Sequence, residues 1–401
     1  MVKGVERAAR EDYSRVVVLA RACGAGDPLP AEAVRAALFA RASSMAWGGA
    51  GVLPVIVETQ CAMLAGADAM ARAGIATAEL GEKESLALAS ANSISVGLGA
   101  LLLVDLAALV DLWDRIAVLT MEAFRANPSP IDPRVVAARA APGQTRSAAS
   151  LRAKLAGSAL FEPGQPRRIQ DPISIRCASH VHGSVRTAMD FCVPNIEAEL
   201  NGAGDNPLVV AEDDVILSNG NFHTHAMAVA FDTLALAMAQ MAVMASQRTA
   251  RLLQGTFTDL PDSLTERGPT HAGVGMLSLT AETLAKDIHI LCQPASIHDS
   301  SGYNVEDHAL MTPLAVRKAV TILGSLRQVA ACELIVAAQA YDLRGPARAA
   351  PVAVALRDAV RAVVPRVDDD RSLTADLEAA VALVARGDLM PSLSATAAAR
   401  P

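Results

Sequence analysis

The sequence predicts an all-α protein: a long central helical bundle with one small β-hairpin. Three observations lead there. Ala, Leu, Val and Met dominate while aromatic residues make up only 3% of the chain, a balance that suits helix-on-helix packing better than sheets. Three long stretches, Ala226–Leu253, Met276–Leu291 and Leu314–Leu343, are rich in apolar residues, the first nearly all round, and helices of that kind belong at the centre of a bundle. Only Leu208–Val210 and Val215–Leu217 are β-rich, and they flank the turn residues Glu212-Asp213-Asp214.

In chain order, residues 31–45 and 83–126 read as helices, the second interrupted near Gly97 and Gly99. Asn127-Pro-Ser-Pro-Ile-Asp-Pro133 ends it, because proline removes a donor and disfavours helix before it. Residues 134–168, rich in Ala, Arg, Gly and Pro, read as a linker with one short helix. A helix runs from Val181 to Leu200 and stops at Asn201-Gly202. The hairpin and the three core helices follow, the last stopping at Gly345-Pro346. A final helix covers about Leu373–Ala385 and ends before Gly387. The expected organisation is an N-terminal helical part (1–133), a linker (134–169), a central bundle (170–348) and C-terminal helices (349–401). No repeat of 20–50 residues is visible.

A chain of 401 residues, 52% hydrophobic and 19% charged, is not disordered, and six cysteines over that length are no disulfide scaffold. A net charge of −7 leaves no basic surplus for nucleic acid or an anionic membrane. The most apolar runs, Ile94–Val104 and Leu234–Ala245, read as too short to span a bilayer and are flanked by Asp105, Asp111 and Asp232. Val16–Ala20 is too short for a signal peptide, and Cys23, Cys61, Cys177, Cys192, Cys292 and Cys332 show no C-x-x-C pairing. The expected location is a reducing cytoplasm.

Six strings then narrow the reading: Gln170–Cys177 (QDPISIRC), Glu199–Leu208 (ELNGAGDNPL), Ser218–His223 (SNGNFH), Gln247–Leu253 (QRTARLL), Asn304–His308 (NVEDH) and Glu333–Arg344 (ELIVAAQAYDLR). Together, in this order, they resemble the aromatic amino-acid lyase superfamily, that of histidine and phenylalanine ammonia-lyases. Weaker similarity covers residues 20–55 and 83–133. The resemblance implies a bundle of the ammonia-lyase/fumarase-like type, a homotetramer, and pockets composed from several subunits. It also implies an electrophile, MIO, cyclised from an Ala-Ser-Gly tripeptide, and a tyrosine base on an N-terminal loop. No Ala-Ser-Gly occurs in the 401 residues. Where the family inserts its MIO segment, between Gly51 and Lys83, the chain runs through Leu64–Gly74 (LAGADAMARAG), and it starts too late for the tyrosine loop. The expectation is a real deletion and no cofactor.

By the same resemblance, Arg176 matches the arginine that grips the substrate carboxylate, a task suited to a planar bidentate fork. Gln170, Phe222 and Glu306 match pocket positions. Ile173 replaces a tyrosine, Ser90 an asparagine, and His180 and Val305 two glutamines; Arg21 stands at a specificity position. The implied enzyme anchors a small carboxylate substrate with Arg176 and uses Glu306 with His180 or Tyr303 as acid and base. It works without MIO, by elimination, addition or cyclisation on a conjugated acid, in specialised metabolism. The alternatives are a non-catalytic binding protein or partner subunit, and an ordinary MIO-dependent ammonia-lyase or aminomutase whose segments were trimmed.

Plainer readings stand beside these. Arg176 and Glu306 can be a structural ion pair. His180-x-His182 and His223-x-His225 invite a metal, but the sequence indicates no third ligand, so they read as hydrogen-bonded pocket or core histidines and no metal site is expected. Asn201–Asp205 lacks the lysine of a phosphate loop and reads as a turn. Met227, Met238, Met241 and Met244 read as core, Asp368–Asp370 as a solvated helix start, and Tyr303 as a half-buried loop residue.

Overall fold

The computed structural model describes residues 92–204, 206–297, 307–346 and 348–386. The expected helix at 31–45 and the Gly51–Lys83 junction lie outside them. Within them the chain forms α1 (Ser93–Phe124), α2 (Pro142–Lys154), α3 (Ala178–Asn201), β1 (Leu208–Val210), β2 (Val215–Leu217), α4 (His225–Leu252), α5 (Met276–Leu291), α6 (Thr312–Arg344), α7 (Pro351–Arg361) and α8 (Thr374–Ala385), with single helical turns between some of them. The two strands form an antiparallel hairpin with Leu208 opposite Leu217 and Val210 opposite Val215, as expected from the acidic turn.

The chain divides into two compact units, each drawn from three stretches of sequence. The first takes, among the described residues, those of 92–104, Asp190–Thr233 and Pro294–Val320. Here α1 is continuous through the expected interruption, because Gly99 is a contact point: a Cβ there would lie 2.7 Å from the Phe231 ring and 2.9 Å from Ile196. Asp232, buried on α4, accepts from the Lys318 ammonium and the Ser296 N–H, both at 2.7 Å. Burial alone would raise the pKa of its carboxyl, but Lys318 and the amides of Ser296 and Ala295 together bring it below the usual range.

The second unit takes Asp105–Met189, Leu234–Gln293 and Thr321 onward. Residues 134–168 carry α2, a 13-residue helix that packs backbone to backbone on α3. A Cβ on Gly143 would fall 2.0 Å from the Gly183 carbonyl oxygen, so the two glycines are what lets these helices touch. α3 begins at Ala178, three residues before the expected start, and tolerates Pro194. On α6, Gln339 donates to the Val367 carbonyl at 2.8 Å and accepts from the Val367 N–H at 3.2 Å, and Asp342 accepts from Arg357 and Arg361, each at 2.6 Å, which docks α7.

One expectation needs correction. α1, α4 and α6, at 32, 28 and 33 residues, are each long and apolar enough to cross a membrane, so length does not exclude a span. Their most apolar windows are 56%, 61% and 67% buried inside the protein, so helix-on-helix packing already uses most of that apolar surface.

Candidate active site

Arg176 closes the single helical turn Ile173–Arg176 that follows Pro172. Proline sets the entry to the turn, and the Ile175 side chain buries beneath it. With the Gln170 amide oriented to suit its neighbours, its oxygen accepts from both Arg176 terminal nitrogens, at 3.2 and 3.1 Å. Gln170 thus holds the guanidinium by one edge, while Arg176 Nε is buried and makes no hydrogen bond within the protein.

Beneath the turn lies a buried ion pair. Arg248 on α4 donates to Glu333 on α6 through Nε at 2.6 Å and Nη2 at 2.9 Å. Glu333 also accepts from the Trp113 indole at 2.8 Å and the Thr120 hydroxyl at 3.1 Å, so its lone pairs are well used. The remaining nitrogen, Arg248 Nη1, reaches the Ser174 carbonyl at 3.4 Å. The pair therefore braces the turn that carries Arg176. Asp171, also buried, accepts from the Asn127 N–H at 2.6 Å. Burial raises the pKa of its carboxyl against the pull of that amide, Arg168 and Arg176. Asp171 Oδ1, Ser174 Oγ, Arg176 Nε and His182 Nε2 are buried without a protein partner. Buried polar atoms are seldom unpaired, so four within residues 171–182 set this segment apart.

His182 and His180, two residues apart on α3, have different roles. His182 is fully buried, with Nδ1 2.7 Å from Asp114, which also takes Arg186 at 2.7 Å and Ser150 at 2.6 Å. Burial lowers the His182 pKa and outweighs the pull of Asp114. His180 is half-buried, and burial, then the charge of Arg139, lowers its pKa too. A neutral imidazole at pH 7 is a proton acceptor. Ile173 is 60% exposed and leaves open the side where the resemblance implies a tyrosine.

Phe222 belongs to the first unit, where its carbonyl accepts from Asn92 Nδ2 at 2.7 Å. The neighbouring His223 Nε2 lies 3.0 Å from His308 Nδ1, and the His225 ring lies 6.1 Å from His223, tilted, and 5.9 Å from His308, edge-on. His308 is a third histidine that the spacing of the first two could not reveal. Even so, among the described residues no three metal-ligating side chains are arranged to hold an ion. Arg21, Ser90, Tyr303 and Glu306 lie outside the described residues. Of the candidate residues, Gln170 and Arg176 are brought together. The braces Arg248, Glu333 and Asp114 were missed as partners, although a charge inside an otherwise apolar helix was the signal.

Residues 2–66 and 60–362 match the sequence family described as aromatic amino acid lyase. The chain is 35% identical over 432 residues to a histidine ammonia-lyase of Symbiobacterium thermophilum, covering 96% of this chain and 85% of that protein. Among solved structures, the ergothioneine-degrading enzyme ergothionase from Treponema denticola superposes with a TM-score of 0.80 at 25% identity, over 94% of this chain and 85% of that one. Histidine ammonia-lyase from Trypanosoma cruzi superposes with a TM-score of 0.78 at 26% identity, over 95% of this chain and 81% of that one.

Proposed function

The chain belongs to the aromatic amino acid lyase family, and from that premise we propose that it is a divergent ammonia-lyase-like enzyme that works without MIO. Its substrate is a small conjugated carboxylate, and its reaction is an acid–base elimination, addition or cyclisation. The observation that carries this reading is the contrast between Arg176, held by Gln170 over the Arg248–Glu333 brace, and a sequence with no Ala-Ser-Gly from which to build the electrophile. The residues present do not fit the prosthetic group, so no step runs through it. Two features of the comparison support an internal deletion. The 432 aligned positions exceed the 401 residues of the whole chain, and the two family matches meet at residues 60–66, beside the Leu64–Gly74 run.

In this reading the Arg176 guanidinium takes the substrate carboxylate by a charge-assisted bond, and Gln170 fixes the plane of the fork. Neutral His180 removes a proton from a carbon already acidified by conjugation. Glu306 or Tyr303 delivers a proton to the leaving or accepting atom. Acid–base catalysis contributes roughly 10²–10⁴-fold, so the substrate must bring its own activation. By the resemblance alone, Ile173, Phe222, Ser90 and Arg21 are the candidates for substrate selection. The protein works as a cytoplasmic homotetramer; Leu236 on α4 and Met276, Leu279 and Ile290 on α5 are apolar side chains left exposed on the single chain, as an assembly face requires.

The test is a thermal-shift screen of carboxylates, aromatic and conjugated acids included, on the wild type and Arg176→Lys, followed by mass-spectrometric analysis of each hit for turnover. A hit that the lysine variant loses and the wild type converts supports the enzyme. A second reading, a binding protein, is favoured by the exposed Ile173 in place of the family tyrosine; it expects the same hit returned unchanged.

A further inference from the structure

Next to the Gln170–Arg176 turn, the second unit gathers Arg125, Arg167 and Arg344 near Asp259, with Arg168 beside them in sequence. Arg125 donates to the carbonyls of Gln165 at 2.9 Å and Gly164 at 3.3 Å. Arg167 pairs with Asp259, and Arg344 donates to the carbonyls of Ala123, at 3.1 Å, and Thr258. Arg168 lies over the rings of Phe124 and Phe257, 5.4 Å from each centroid. Burial lowers the Arg344 pKa, the charges of Arg125 and Arg167 act the same way, and only Asp259 opposes them. Arg167 Nη1 is buried without a hydrogen-bond partner.

Of these arginines, Arg167 and Arg168 line an open cleft of about 430 Å³, whose walls also include Asn127, Ser129, Phe161 and Glu162. That volume suits a metabolite-sized group. The one acid on the wall, Glu162, is already engaged by Arg348. Arg168 already donates one N–H to the Phe257 carbonyl at 2.8 Å and Arg167 pairs with Asp259; a multiply charged anion supplies acceptors for their remaining N–H groups and relieves the repulsion among the like charges. We propose that this cleft binds a small multivalent anion, a phosphate-bearing or polycarboxylate molecule, through Arg167 and Arg168. Asn127 lines the cleft and also donates to the Ile169 carbonyl at 2.8 Å and to Asp171 at 2.6 Å, so an occupant touches the strand of chain that leads into Gln170. The inference stands on its own geometry and does not need the proposed reaction.

The test is thermal unfolding of the full chain in sodium phosphate and in sodium citrate against sodium chloride of matched ionic strength. The expected result is a saturable rise in Tm with phosphate or citrate and none with chloride. Arg167→Gln should weaken that response at least ten-fold, and Arg327→Gln, which breaks a separate pair with Asp105, should leave it intact. Ser129→Asp sets a carboxylate at an exposed point on the rim, keeps every arginine contact, and should weaken the response similarly; it carries the test if Arg167→Gln does not fold. A response to phosphate alone identifies a phosphate-bearing ligand, and one to citrate alone a polycarboxylate. Equal shifts in all three salts, no shift in either anion, or an unchanged response in both cleft variants overturns the proposal.

Discussion

Arg248 and Glu333 meet in the interior of the second unit as a two-point ion pair at 2.6 and 2.9 Å, and the arginine's remaining nitrogen points to the Ser174 carbonyl two residues before Arg176. The pair is 1% and 0% exposed, so each charge depends on the other. Replacing Glu333 by Ala leaves a buried guanidinium uncompensated and is expected to cost about 3–5 kcal/mol of stability. Urea unfolding measures it. Replacing both residues by Met should cost less than that single change, because no lone charge remains.

Gly143 and Gly183 make the closest approach between α2 and α3. Gly143→Ala sets a methyl 2.0 Å from a backbone oxygen, with no flexible side chain to yield. The expected loss is about 1–3 kcal/mol or more, read as a lower denaturation midpoint. Gly164→Ala, with open space around its Cβ, should show only the smaller strain of its positive φ of 79°.

Stability should fall as the solution is acidified below about pH 6.5. Burial holds the folded pKa of His182 below its ordinary 6.5, so the unfolded chain takes up that proton first. Stability then rises with pH through this window, since the unfolded state binds more protons. His180, shifted the same way by burial and Arg139, adds to the slope. Denaturation midpoints between about pH 7.5 and 5 check the direction, and His182→Gln should flatten the slope.

Much of this was legible in the residues and some was not. Met276–Leu291 and the hairpin stand where the residues put them, and for the hairpin an acidic turn between two β-rich pieces leaves few alternatives. The docking of α2 was hidden, since it rests on two glycines rather than an apolar stripe. The difference between His180 and His182 follows from helix geometry: two positions apart on a helix is about 200° of rotation, which sends one ring to the core and the other toward solvent. Arg248 and Glu333 were visible as matching strings, but 85 residues separate them and only the packed bundle makes them partners. His308 joined His223 in the same way.

At the anchor itself, Arg176→Lys keeps the charge but loses the fork that Gln170 orients. Carboxylate binding should weaken by roughly 1–3 kcal/mol, the range for a hydrogen bond to a charged group. Gln170→Leu should weaken it less, since the guanidinium remains but is no longer held by its edge. Titration calorimetry with any carboxylate hit reads both; equal affinity in all three proteins would remove Arg176 from the site.

The most direct measurement of the central claim is product formation from L-histidine, L-phenylalanine and L-tyrosine by the purified chain, before and after treatment with sodium borohydride. The account predicts no urocanate, cinnamate or coumarate above background, and no change on reduction, because the chain holds no Ala-Ser-Gly to form the electrophile. Steady release of any of the three at enzyme-like rates, abolished by borohydride, would contradict it.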